Sequence, residues 1–216
     1  DLNSHTFWRT MDPGHPLYSK ELVKKHGDFI PSLYSILDGV LGNVLRQADE
    51  KTLVIALSDH GFTSFRRQFN LNTWLLNNGF AVERKGSSHG TAGFFEDLDW
   101  TRTKAYGLGI NSLYVNQAGR EANGIVAPGA GKEELLTRLV AALEAVRDPA
   151  TGERVILKAA RPRDIYSGPC VGSAPDITVG YNANYRASWD TVLGKFSKDE
   201  ILDNTDPWSG DHSVDS

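Results

Sequence analysis

One cysteine, one methionine and no long apolar run set the first limits on this 216-residue chain. Cys170 alone cannot form an intrachain disulfide, and a cysteine-based zinc site would need more sulfurs. A free cysteine is most often a small buried packing residue, and Cys170 is expected to be one. No apolar stretch approaches the roughly 20 residues needed to span a bilayer. A large excess of one charge is lacking too. The 23 Lys and Arg face 27 Asp and Glu, for a formal net charge of −4. That gives no global attraction for nucleic acid or an anionic membrane, so phosphate recognition would need a local device such as metals, a helix terminus or an arginine. The chain also lacks an initiating methionine. It opens at Asp1 within what reads as a motif, so its N-terminus is read as cut, with any targeting segment upstream. No pattern fixes a compartment or an oligomeric state.

What is present is ordinary globular composition, 40% apolar and 23% charged. The clearest helix is expected from about Asp28 to Ala48. Leu33, Ile36, Leu37, Val40, Leu41, Val44 and Leu45 recur at three-and-four spacing and form one apolar stripe. Pro31 falls in the first turn, Asp28 suits the N-cap, and Gly39 and Gly42 suggest close packing on a sheet. Thr52–Leu57 is a continuous apolar run and reads as a central strand covered on both faces. Helix followed by buried strand is the α/β pattern. A short helix is expected near Leu71–Asn77, closed by Gly79, with a hairpin near Ala81–Arg84. One or two strands follow in Ala105–Asn116, then a helix over Glu133–Val146, and strands at Arg154–Ala159 and Asp176–Tyr181. The fold class is therefore α/β with a mostly parallel sheet flanked by helices. The organisation is a core over residues 1–117, a small α+β insertion over 118–168, and a return to the core over 169–216.

Three segments hold candidate metal ligands: Asp1-Leu2-Asn3-Ser4-His5, Ser58-Asp59-His60-Gly61 and Trp208-Ser209-Gly210-Asp211-His212. Carboxylate with imidazole suits zinc or a similar divalent ion. Asp1 and His5 share a face if the chain makes one helical turn. Asp59 and His60 follow the expected strand, and ligand sites in α/β sheets cluster beyond the carboxyl ends of strands.

The order of these motifs resembles the metal-ligand series of the alkaline-phosphatase superfamily. The flanking text is similar to its type I phosphodiesterase/nucleotide pyrophosphatase branch: Phe7-Trp8-Arg9, His15-Pro16, Ser58-Asp59-His60-Gly61-Phe62, Tyr166-Ser167-Gly168-Pro169, Ala174-Pro175-Asp176-Ile177 and the run Asp203 to His212. The resemblance implies a phosphoester hydrolase with two divalent ions, zinc by ligand type, with manganese or iron as alternatives. Asp1, His5 and His212 would hold one ion, and Asp59 and His60 the other. Asp211, beside His212, reads equally as a partner that orients an imidazole or as a surface loop acid. In the family a Thr or Ser nucleophile and a further Asp precede the first motif. The chain as given is therefore expected to be inactive on its own. The substrate would be a small phosphoester, a nucleotide being one candidate. A phosphomutase or phosphonate hydrolase of the same superfamily, or a non-catalytic metal-binding fragment, are the alternatives.

Asp12 and His15 could touch substrate, but a structural loop is the better expectation. His26 reads as solvated. His89, in Ser87–Thr91, reads equally as part of a mobile active-site loop or of a disordered one. Trp74, Trp100, Trp189 and Trp208 read as packing residues. Arg161, Arg163 and Arg186 could meet a phosphate, although an exposed arginine usually does not.

Overall fold

The computed structural model describes residues 1–87 and 93–212; most of the Ser87–Thr91 loop, His89 included, lies outside them. The described chain falls into two units, Asp1–Arg66 with Asn204–His212, and Arg67–Asp203.

In the first unit, α1 (Leu2–Phe7) follows Asp1 and runs into a 3-10 turn at Trp8–Thr10. Helix α2 (Lys20–His26) is capped by Ser19, whose Oγ accepts the Leu22 N–H at 3.1 Å. Helix α3 (Phe29–Gln47) begins after Asp28, which occupies the N-cap without a side-chain capping bond. Phe7 stacks on Phe29 at 4.4 Å between ring centroids and ties α1 to α3. Strand β1 (Thr63–Phe69) starts in this unit and pairs antiparallel with β8 (Gly210–Asp211). Thr63 lies opposite Asp211 and Ser64 opposite Gly210.

The second unit is built on an antiparallel sheet in the order β2-β3-β5-β4. Its strands are β2 (Ala105–Gly107), β3 (Ser112–Val115), β4 (Ile156–Ala160) and β5 (Ile177–Tyr181). Helix α5 (Ala130–Glu144) buries Leu135, Leu136, Leu139 and Leu143 in the core that these strands share. It also accepts the Ala159 N–H on Glu144 Oε1 at 3.0 Å, which docks it on β4. Helix α4 (Leu71–Asn77) is buried over its first five residues, and Gly79 turns the chain after it with φ of +71°. The end of β1 pairs antiparallel with β7 (Ile201–Asp203), Arg67 opposite Asp203 and Phe69 opposite Ile201. Shorter pieces complete this unit: α6 (Pro162–Ile165), β6 (Asn184–Ala187) and α7 (Trp189–Val192).

Mixed α/β character is present, with one mixed and one antiparallel sheet. The β2-β3-β5-β4 sheet is antiparallel throughout, whereas β1 lies between β6 and β7 in a mixed sheet and meets β7 and β8 antiparallel. The expected central strand Thr52–Leu57 forms no strand; Leu53 and Leu57 are 82% and 84% exposed. An apolar run becomes a strand only where neighbours take its backbone N–H and C=O groups, and the described residues supply no ladder for it. The α3 stripe is likewise exposed from Ile36 to Leu45, with Ile30 the helix's buried residue, and nothing lies within 4 Å of where a side chain at Gly39 would sit. Within the stretch 118–168, β4 hydrogen-bonds to β5 in one sheet and α5 shares its core. The chain divides at Arg66/Arg67 and Asp203/Asn204. Cys170 is exposed rather than buried.

A buried charge network holds the second unit. Asp148 is fully buried and receives Arg67 Nε at 2.8 Å, Arg67 Nη2 at 3.0 Å and the Tyr185 hydroxyl at 3.1 Å. Burial alone would raise the pKa of Asp148, but the bonds from Arg67, the Ala150 amide and Tyr185 outweigh it and hold the carboxyl below its ordinary value. Removing one partner of a buried pair strands the other. Asp148→Ala is therefore expected to cost about 3–5 kcal/mol in denaturant unfolding; a loss below about 1 kcal/mol would show that Arg67 finds an equivalent partner.

Candidate metal centre

The first unit brings together residues from the two ends of the chain. The Asp1 carbonyl accepts the N–H of Ser4 at 2.8 Å and of His5 at 3.3 Å, and this single turn places the two side chains on one face. Ligand atoms of Asp1, His5 and His212 all lie within 4.8 Å of one another. Asp1 Oδ1 is 3.4 Å from His5 Nε2 and 3.9 Å from His212 Nε2. Asp1 is exposed, His212 half-buried and His5 buried at 2% exposure, so the group opens to solvent on the carboxylate side.

The state of His5 is set by its far nitrogen. Nδ1 lies 2.6 Å from the Gly210 carbonyl, an acceptor that requires the proton on Nδ1. In the neutral imidazole Nε2 is then the nitrogen that presents a lone pair towards Asp1. A histidine held by a backbone carbonyl through one nitrogen is the usual arrangement of a metal ligand. The ring stacks on Trp208 at 3.8 Å and meets the edge of Phe62 at 4.7 Å, which fixes its plane. Asp211 supports this indirectly. Its Oδ2 accepts the Trp208 indole N–H at 2.9 Å and its Oδ1 the His212 amide at 2.8 Å. It thus holds the ring that stacks on His5.

Asp59 and His60 do not follow a strand, since Thr52–Leu57 forms none, yet His60 reaches the same place. Its ring stacks on His212 with centroids 3.7 Å apart and planes 17° off parallel. His60 Nδ1 donates to the Gly61 carbonyl at 2.9 Å, and Nε2 lies 3.5 Å from Asp59 Oδ2. This repeats the pattern of His5: Nδ1 on a backbone carbonyl, Nε2 beside a carboxylate. Asp59 itself is strongly exposed.

Positioning residues with no sequence signal complete the centre. Ser209 Oγ donates to the carbonyls of His5 and Thr6 at 2.9 and 3.0 Å, and the Ser209 N–H donates to the His5 carbonyl at 2.6 Å. They satisfy the end of α1 with the C-terminal segment. A Cβ on Gly210 would fall 2.5 Å from Phe62 Cε1 and 2.6 Å from Trp8 Cβ, so this position admits no side chain unless Phe62 and Trp8 both shift.

Asp12 and His15 form a brace; both are buried. Asp12 accepts from Arg66 Nε at 2.7 Å, Arg66 Nη2 at 2.5 Å, the Gly14 amide at 3.0 Å and the Ser64 hydroxyl. His15 Nδ1 accepts the Leu17 N–H at 3.0 Å, so its proton sits on Nε2, which donates to the Phe65 carbonyl at 3.0 Å. A second proton would break the Leu17 bond. Burial pushes the imidazole below its ordinary pKa of 6.5, and the Phe65 bond opposes this only in part.

The family model for type I phosphodiesterase / nucleotide pyrophosphatase matches residues 13–190. Asp59 and His60 fall inside the match, and Asp1, His5 and His212 outside it. The match spans most of the chain, and the chain belongs to this family of phosphoester hydrolases. No curated protein and no solved structure matches it.

Two outcomes are expected. Gly210→Ala should lower stability by about 1–3 kcal/mol in denaturant unfolding through overpacking against Trp8 and Phe62; an unchanged midpoint would show that the rings yield freely. The second concerns pH. His15 has a depressed folded pKa, so its contribution is complete above about 6.5 and is lost as pH falls and the unfolded chain takes up the proton. Melting temperature measured from pH 7.5 to 5 should fall less steeply in His15→Gln than in the wild type. Parallel curves would remove His15 from the account.

Proposed function

We propose that these residues form the metal-binding part of a divalent-metal-dependent phosphoester hydrolase of the phosphodiesterase/nucleotide pyrophosphatase type. The observation that carries the reading is the convergence of Asp1, His5 and His212 within 4.8 Å, with the His5 tautomer set by Gly210. One carboxylate and two imidazoles fit a divalent ion of the zinc class, with manganese and iron as the other candidates. Asp59 and His60 would contribute to a second ion. Bound there, divalent ions would supply Lewis-acid stabilisation of the charge that develops on the phosphoryl oxygens.

The chain's own residues do the holding and orienting. Gly210 keeps the His5 proton on Nδ1, and Trp208 and Phe62 keep its ring plane. Asp1 and Asp59 bring negative charge to the open side, where a cation would be neutralised and an anionic substrate could approach it. In this reading the attacking hydroxyl belongs to a Thr or Ser preceding Asp1, as the family pattern has it, and the substrate is a small phosphodiester or nucleotide pyrophosphate.

The test is zinc titration calorimetry on this chain. Tight binding of one zinc is expected, weakened by His5→Ala and by His212→Ala beyond the roughly 10–100-fold typical of an outer hydrogen-bond partner. Equal affinity in all three proteins would contradict the site. In parallel, an aryl phosphodiester is assayed with added zinc or manganese, and the 216-residue chain is expected to show no turnover above a metal-free control. Turnover abolished by His5→Ala would place the nucleophile within these residues.

A further inference from the structure

The second unit holds a cleft of about 260 Å³ lined by Arg120, Lys132, Arg161 and Arg163 together with only two carboxylates, Glu133 and Asp176. The pairing is economical. Asp176 is buried and takes both Arg120 at 2.7 Å and Lys132 at 2.5 Å. Glu133 takes both Arg161 at 3.1 Å and Arg163 at 2.9 Å. Each carboxylate is therefore shared by two cations. Burial would raise the pKa of Asp176, but the bonds from Arg120, Lys132 and the Val115 amide hold it down, so it stays an anion that anchors its two partners. Four positive and two negative charges leave the lining at +2. Counting Glu121, which pairs with Arg120 at 2.8 Å, the balance is still +1, in a chain whose formal charge is −4.

The donors are also under-used. A guanidinium carries five N–H groups. Arg163 gives one, Nη2, to Glu133, and its side chain is 61% exposed. Arg161 spends Nη1 on Glu133 and Nη2 on Thr137 and keeps Nε. Planar forks held in place with donors to spare match the oxygens of a phosphate. Gln117 also lines the cleft and accepts Lys132 Nζ at 2.6 Å, while Leu136, Pro162, Val171 and Ala174 are apolar and give an organic body something to rest on.

We propose that this cleft binds a small molecule bearing a phosphate monoester, with Arg161 and Arg163 contacting the phosphoryl oxygens and Arg120 and Lys132, fixed by Asp176, supplying the surrounding field. The site is built entirely from the second unit and uses none of the candidate metal ligands, so it stands or falls independently of the proposed hydrolase chemistry.

The experiment is calorimetric titration of the 216-residue chain, with chelator present to strip divalent ions, using AMP, inorganic phosphate and adenosine as probes. AMP is expected to bind, phosphate to bind more weakly and compete with it, and adenosine not to bind detectably. Affinity for AMP should fall as salt rises, because the contacts are ionic. Arg163→Gln, a change at an exposed position, should weaken AMP about 10-fold, and Arg163→Glu should abolish binding, with melting curves showing both variants folded. His5→Ala should leave AMP binding unchanged. The proposal is overturned if the wild type does not bind AMP, if adenosine binds as well as AMP, if Arg163→Glu binds like the wild type, or if His5→Ala removes the binding.

Discussion

The proton between His5 Nδ1 and the Gly210 carbonyl is the contact on which the candidate centre depends. It joins residues 205 positions apart, and the remaining contacts around it serve to keep it. Ser209 ties its own amide and hydroxyl to the end of α1. Thr63 and Ser64 pair with Asp211 and Gly210 and hold the C-terminal segment from its other side. Asn204 Nδ2 bridges the carbonyls of Phe65 and Trp208 at 2.8 and 2.7 Å and shapes the turn that presents Trp208 to the His5 ring. A hydrogen bond of this kind adds only about 0.5–1.5 kcal/mol net. Its consequence is chemical: it decides which nitrogen faces Asp1.

The residues that come together in the candidate centre were legible in the sequence, and their support was not. Asp1 and His5 could be paired because i and i+4 share a helical face, and His212 through the resemblance of its motif to a known ligand series. Gly210, Ser209 and the Gly61 carbonyl act through backbone groups, which every residue carries and which leave no mark in a sequence. Asp12 and His15 were visible as polar residues in a loop; that they brace β1 became evident only when Arg66, Ser64 and Phe65 arrived from more than 45 positions away.

The fold was legible where local signals agreed. Helix α4 runs from Leu71 to Asn77 with Gly79 turning the chain after it, because an apolar segment and a positive-φ glycine point the same way. Strand β1 went unread. Thr63–Phe69 carries Arg66 and Arg67 in succession, which breaks the alternation of an amphipathic strand; each arginine is neutralised by a buried aspartate that no periodicity reveals. Thr52–Leu57 shows the converse failure. A run apolar on both faces signals burial, but burial is a property of neighbours, and the described residues place none around it. The same holds for the α3 stripe.

The claim that matters most is that Asp1, His5 and His212 share one ion. A crystal of the protein grown with zinc, with anomalous diffraction recorded on either side of the zinc absorption edge, tests it directly. The account expects an anomalous peak about 2.0–2.2 Å from His5 Nε2, His212 Nε2 and an Asp1 carboxylate oxygen, with His5 Nδ1 still on the Gly210 carbonyl. Zinc bound elsewhere while this triad stays empty, or bound through His5 Nδ1 with the Gly210 contact broken, would contradict it.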